Sequence, residues 1–271
     1  MRTMDEHVID AYLDRIGATR PGRADADGLR RLHERHVLSV PFETIAFYTG
    51  EPIGHSMDAV RKVVDDHRGG SCFELNSAFG LLLRGLGYQV ETIWGRIHRA
   101  AGPDRRTGHM ALRVRTPSAV WLVDVGHSNN SRRPLRLDLR TPQGDPHGTY
   151  LLTAAEEGDI DVSVDGRLLY RMETRARDED YGEAVLWWYR TSPESPFTKR
   201  PVCVRPTESG RYSLKGTRFT SEENGSERVR DIETDAELIE IYKRYFGIGL
   251  NTLPVRAADP CGHCGKGQHR E

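Results

Sequence analysis

The hydrophobic pattern of this 271-residue chain changes from helical to alternating at Gly87, and that change limits what it can fold into. Before it, apolar residues recur at helical spacing over 8–16, 26–35, 57–67 and 72–85, with Gly and Pro breaks between the segments. After it, from Tyr88, the pattern alternates as strands do: 88–98, 109–115 and 121–125 most clearly, then 148–153, 160–164, 167–171 and 185–189. The last third mixes strands near 202–206 and 213–220 with a helix over 236–245. The pattern predicts an α+β protein: a helical lobe, a strand lobe and a mixed lobe, with no internal repeat.

The best-defined helix begins at a cysteine. In Arg68-Gly69-Gly70-Ser71-Cys72-Phe73-Glu74-Leu75-Asn76, Ser71 and Glu74 have the Ser-x-x-Glu spacing of a capping box. Leu75, Ala78, Phe79, Leu82, Leu83 and Leu86 then follow at helical spacing until Gly87. Cys72 is thus expected at the first helical position, where unpaired backbone N–H groups favour a thiolate. A buried structural cysteine is the alternative, since free Cys is among the most buried residue types.

A thiol nucleophile needs a base and a group to orient that base. His109 opens the first strand of a predicted hairpin, and Asp124 interrupts the apolar second strand, where an unpaired carboxylate would be costly. With 116–119 as the loop, paired positions sum to 235. His109 and Asp124 then share one face as diagonal neighbours, roughly 7–8 Å apart at the backbone and within side-chain reach. A slip of two residues would keep them together, whereas a slip of one would separate them.

These three blocks resemble the arylamine N-acetyltransferases. The likeness is carried by 68–76, by Thr107-Gly108-His109 and by Val123-Asp124-Val125-Gly126. It continues in Ala11-Tyr12-Leu13-Asp14-Arg15-Ile16-Gly17, Val40-Pro41-Phe42-Glu43, Pro134-Leu135-Arg136-Leu137, Ser192-Pro193-Glu194-Ser195-Pro196-Phe197 and Phe246-Gly247-Ile248. The resemblance implies a helical bundle over 1–86 carrying the cysteine, an antiparallel β-barrel over 87–190 carrying His and Asp, and an α/β lid over 191–258, with a cysteine-protease-like catalytic core. It implies a ping-pong reaction in which Cys72 takes an acetyl group from acetyl-CoA and passes it to an arylamine or hydrazine. His109 would be the base, Asp124 its orienting group, and Arg68 with Glu43 a structural ion pair.

Thr107, Gly108, Arg105, Arg106, Gly126 and Ser128 are the expected contacts of the CoA co-substrate. Phe42, His127 and Phe197 are expected to line the acceptor pocket. After Gly126 the chain departs from the family pattern: His127-Ser128-Asn129-Asn130-Ser131 is a polar loop where the family usually has an aromatic residue. Amide synthases taking acyl groups from a carrier protein share the three blocks and are an alternative, as is a transglutaminase-like cysteine hydrolase.

Other features narrow the function less. Lys+Arg 39 against Asp+Glu 40 gives no electrostatic reason to expect nucleic acid or an anionic membrane. The polar start has no apolar stretch long enough for a signal peptide, and four cysteines are too few for a disulfide framework, so a cytoplasmic protein is expected. Cys261 and Cys264, with His263 and His269, form a weak version of a zinc set in a Gly-rich tail, and the tail over 259–271 is expected to be flexible with no metal. The basic loop 99–108 would either meet donor phosphates or lie in solvent. The run Trp187-Trp188-Tyr189 suggests a strand buried on both faces, and His33 with His36 suggests packing.

Overall fold

The structure is a computed structural model describing residues 4–99, 102–129 and 131–254. Five helices precede the long strands: α1 Glu6–Ile16, α2 Ala26–Ser39, α3 Ala46–Thr49, α4 Met57–Val64 and α5 Cys72–Gly85. Helix α5 packs against α4, α1 and the strands beyond it, so every residue from Cys72 to Leu83 is buried. It is this density of contact that makes α5 a rigid platform for its first residue.

The short strand β1 (Phe42–Glu43) lies between α2 and α3. After α5 come β2 Gln89–Arg99, β3 Gly102–Pro103, β4 His109–Thr116, β5 Ala119–Val123, β6 Leu135–Arg136, β7 Gln143–Asp145, β8 Gly148–Ala154, β9 Ile160–Val164 and β10 Arg167–Met172. They form one antiparallel sheet in the order β6-β5-β4-β2-β10-β9-β8-β7, with β3 on β2. Its edges meet through the Gln143 side chain. The Arg136 N–H donates to Gln143 Oε1 at 2.7 Å, and Gln143 Nε2 donates to the Arg136 carbonyl at 3.0 Å. The sheet is therefore a nearly closed barrel, with Ile93, Leu122, Leu152, Val162 and Tyr170 in its apolar core.

A second sheet has the order β1-β11-β12-β13-β14, where β11 is Val202–Pro206, β12 Gly210–Lys215, β13 Arg218–Glu223 and β14 Ser226–Asp231. Its first strand comes from residues 42–43, 159 positions or more before the rest, so this late sheet is stitched to the amino-terminal helices. Helix α7 (Asp235–Phe246), N-capped by Thr234 and ended at Gly247 in the left-handed region, packs Ile241, Tyr242 and Phe246 onto it.

Three expectations need correction. Residues 185–189 are not a strand: they lie in α6, Glu183–Thr191, where Tyr189 faces the core and Trp187 is 68% exposed. An apolar run this short has no decisive period, and here tertiary packing overrides strand propensity. The predicted strand over 213–220 is two strands, broken at Gly216 where φ is +64°. The helix expected over 57–67 ends at Val64, and His67 turns the chain with φ +50°. Cys261 and Cys264 lie outside the described residues.

Candidate active site

The hairpin register agrees with the sequence arithmetic. Leu112 faces Val123, Val114 faces Trp121, and Arg115 faces Val120, each pair summing to 235. Thr116 and Ala119 also pair, so the turn is Pro117-Ser118 alone. Pairing stops at Val123, and Asp124 stands one residue past the strand on the same face as His109.

Cys72, His109 and Asp124 converge, all three buried. Cys72 opens α5 behind the capping box: Glu74 Oε2 accepts the Ser71 N–H at 2.8 Å and the Ser71 hydroxyl at 3.0 Å. Its Sγ lies beside the His109 ring and 3.9 Å from the Gly108 carbonyl oxygen. His109 Nε2 donates to Asp124 Oδ2 at 2.8 Å, which leaves Nδ1 for the thiol. The close approach needs glycine at position 126. A Cβ there would lie 2.5 Å from Cys72 Cα and 2.6 Å from Asn76 Nδ2.

The charge of this group follows from its partners. Burial opposes a charged imidazole, but the Asp124 carboxylate and its hydrogen bond prevail and hold His109 up at about 10. Asp124 is well below the usual carboxylate range: burial works against the ion, yet His109 and the Asn76 amide more than offset it. His127, on the loop beyond, is pushed down to about 4 by burial and by the charged His109. Its ring meets His109 edge-on at 5.3 Å, and its Nδ1 accepts the Asn129 N–H at 3.2 Å. The proton of neutral His127 is thus on Nε2.

Two supporting residues carried no role in the sequence reading. Asn76, four residues after Cys72 and on the same helical face, donates to Asp124 Oδ1 at 3.1 Å and to the Met110 carbonyl at 2.8 Å, and accepts the Val125 N–H at 3.0 Å. One amide therefore ties the cysteine helix to both partner strands. The i, i+4 spacing from Cys72 was the available signal. Tyr170 of β10 packs on His109 with ring centres 4.8 Å apart. No motif marks it, since β10 is brought here by barrel closure.

Cys72 and His109 border a cleft of about 300 Å³. Phe42, Gly108, Gly126, His127, Ser128 and Phe197, all expected near the substrates, line it, and so do Tyr189, Arg99, Arg200 and Lys215. Arg105, Arg106 and Thr107 do not. Thr107 donates its hydroxyl to Glu173 Oε1 at 3.1 Å, the Arg106 guanidinium lies 3.6 Å above the Trp188 ring, and Arg105 is exposed. Arg68 and Glu43 form a buried ion pair at 2.8 Å. Among the described residues, no helix is long and apolar enough to cross a membrane.

A family profile described as N-acetyltransferase matches residues 25–255. The chain is similar to the arylamine N-acetyltransferase of Mycolicibacterium smegmatis, 30% identical over 259 residues that cover 92% of this chain and 94% of the relative. It is 28% identical over 255 residues to the arylamine N-acetyltransferase of Escherichia coli (strain K12), covering 90% of each. The structure of Mycobacterium marinum arylamine N-acetyltransferase in complex with CoA matches with TM-score 0.82 at 27% identity, covering 89% of this chain and 92% of that one.

Proposed function

The chain belongs to the arylamine N-acetyltransferase family, and on that premise we propose that it moves an acetyl group from acetyl-CoA to a small arylamine or hydrazine through an acetyl-Cys72 intermediate. The observation that carries this reading is buried Cys72 beside the hydrogen-bonded His109–Asp124 pair at the wall of a cleft. Cys72 Sγ, its proton already on His109 Nδ1, attacks the thioester carbonyl carbon. The carbon–sulfur bond to CoA then breaks, and His109 returns the proton to the departing CoA sulfur. In the second half the amine nitrogen attacks the acetyl carbon on Cys72, His109 Nδ1 takes a proton from that nitrogen, and the carbon–Sγ bond breaks, which releases the amide and restores the starting site.

The cleft fits both partners in turn. Arg99, Arg200 and Lys215 are cations suited to the phosphates of the donor. Phe42, Phe197 and Tyr189 are in ring contact and offer an aromatic wall for a flat acceptor. Neutral His127 adds an N–H donor to that pocket, which suits an acceptor with a hydrogen-bond-accepting substituent. Sulfur is the fitting nucleophile because acetyl moves between two thiols at little cost, and an amine then takes it downhill.

Intact-mass analysis after mixing with acetyl-CoA tests the reading. Wild type gains one acetyl group, Cys72→Ala gains none, and adding an arylamine discharges the adduct. No adduct on wild type, or an equal adduct on Cys72→Ala, would sink the proposal. Rapid release of acetate without amine would mark a hydrolase instead.

A further inference from the structure

Four charged side chains pack together at the start of α5, outside the cleft and unused in the acyl transfer: Glu43, Lys62, Arg68 and Glu74. None is more than 9% exposed. Glu74 is the member joined to the nucleophile, because its Oε2 holds the N–H and hydroxyl of Ser71, the residue before Cys72. Its other oxygen, Oε1, accepts from Lys62 Nζ at 2.6 Å.

Three donors on one carboxylate use it fully only in its ionised form, because a protonated carboxyl turns one acceptor site into a donor. Burial pushes the Glu74 carboxyl up, and the neighbouring Glu43 carboxylate adds to the push, whereas Lys62 opposes it. The second cation, Arg68, is committed elsewhere: it bonds Glu43 at 2.8 and 3.1 Å and Glu51 at 3.2 Å. Lys62 Nζ also stands 3.7 Å from Glu43 Oε1, so it is the cation shared by both buried acids. Farther out, Asp58 and Arg61 of α4, with Asp65 and Asp66 after it, border the same hollow.

We propose that Lys62 is a positioning residue for the acyl transfer: by pairing with Glu74 it maintains the carboxylate cap on Ser71 and so holds Cys72 at the start of α5 against His109. Lys62 touches neither the thiol nor the imidazole. Its effect passes through Glu74, Ser71 and the first helical turn. Without it, Glu74 loses its cation, because Arg68 is held by Glu43 and Glu51; the buried carboxyl then takes up a proton more readily, and the cap on Ser71 loosens.

The proposal rests on Cys72 as the nucleophile but needs neither substrate to test. Alkylation by iodoacetamide, followed at the Cys72 peptide by mass spectrometry across pH, compares wild type, Lys62→Met, Lys62→Arg and Lys62→Met with Glu74→Gln. Lys62→Met should react about tenfold more slowly at neutral pH, the scale of loss a small misplacement of a reacting group produces. Its rate should recover as pH rises, through an ionisation absent from wild type. That ionisation should vanish in the double variant, which has no carboxylate to titrate and should stay slow at every pH, while Lys62→Arg should resemble wild type. A Lys62→Met profile of wild-type shape, or a pH-dependent recovery that persists in the double variant, overturns the proposal. If Lys62→Met does not fold, Glu74→Gln alone decides, because wild-type reactivity without the carboxylate would refute the link through Glu74. Normal alkylation without acetylation by acetyl-CoA would instead overturn the acyl-transfer reading and leave Lys62's role standing.

Discussion

Asp124 is a carboxylate removed from water whose solvation is replaced by His109 Nε2, the Asn76 amide and the Gly126 N–H, at 2.8, 3.1 and 3.0 Å. An ion held this way fixes the orientation of the imidazole and keeps its proton. Asp124→Asn retains the shape and removes the charge. It should slow acetylation of Cys72 by roughly 10³–10⁴-fold, the loss known for the equivalent change in a serine protease triad. His109, followed by NMR, should then titrate far below the value near 10 that it has beside Asp124. An unchanged imidazole titration would count against Asp124 as the source of that charge. At this scale the sequence was informative where a residue sat in a conspicuous setting: a cysteine after a glycine turn, a histidine opening a strand, an acid among valines. Asn76 looked like any amide on a helix, because its value lies in what it bridges.

The elements differ in how much of their behaviour is local. The β4–β5 hairpin could be read from alternation and turn length, and its register needed no tertiary information. Helix α6 could not, because Val185, Leu186 and Trp188 pack on the main core in a segment whose composition suits a strand equally well. Where α5 meets the end of β5, contact leaves no room for a side chain at residue 126. Gly126→Ala puts a methyl group 2.5 Å from the Cys72 backbone, so one of the two elements must retreat. The expected outcome is about 10²-fold slower acetylation and a stability loss of about 1–3 kcal/mol. Kinetics and denaturant melts would measure both, and an unaffected rate would mean that the spacing of α5 and β5 is not critical. The barrel seam is a second element-scale case. Gln143→Ala removes two hydrogen bonds between β6 and β7, and should cost about 1–3 kcal/mol. Hydrogen exchange should rise in β6 and β7 while the Cys72 alkylation rate stays unchanged.

Over the whole molecule, burying neutral histidines gives folding a pH dependence. His33 and His36 are fully buried in helical packing, His36 against the Tyr12 hydroxyl at 3.0 Å and His33 donating to the Arg132 carbonyl at 3.1 Å. Burial lowers both, and His127 with them. A histidine lowered by folding binds a proton more readily once unfolded, so its contribution is present above pH 6.5 and is lost as pH falls. For His127 that window runs from 6.5 down to about 4. His109 has the opposite sign: its contribution is full below 6.5 and is lost as pH rises toward about 10. Thermal melts should therefore show falling stability from pH 6.5 to 4, and His127→Phe should reduce the slope by about 1–3 kcal/mol over that range. An unaltered slope would show that His127 is not held neutral by the fold.

The sequence by itself determined the α+β class, the capped helix that begins at Cys72, and a hairpin register that sets His109 and Asp124 on one face. Each of these follows from interactions among residues near one another in the chain: helical and strand periodicity, a cap three residues long, and a short turn. Only the tertiary structure decided that α5 approaches β5 closely enough to require Gly126, that Tyr170 packs on the imidazole, that Lys62 meets Glu74, and that β1 joins a sheet built from residues after 201. Those contacts join positions from 12 to more than 150 residues apart, and no local pattern encodes them because they exist only once the helices, barrel and second sheet have packed together.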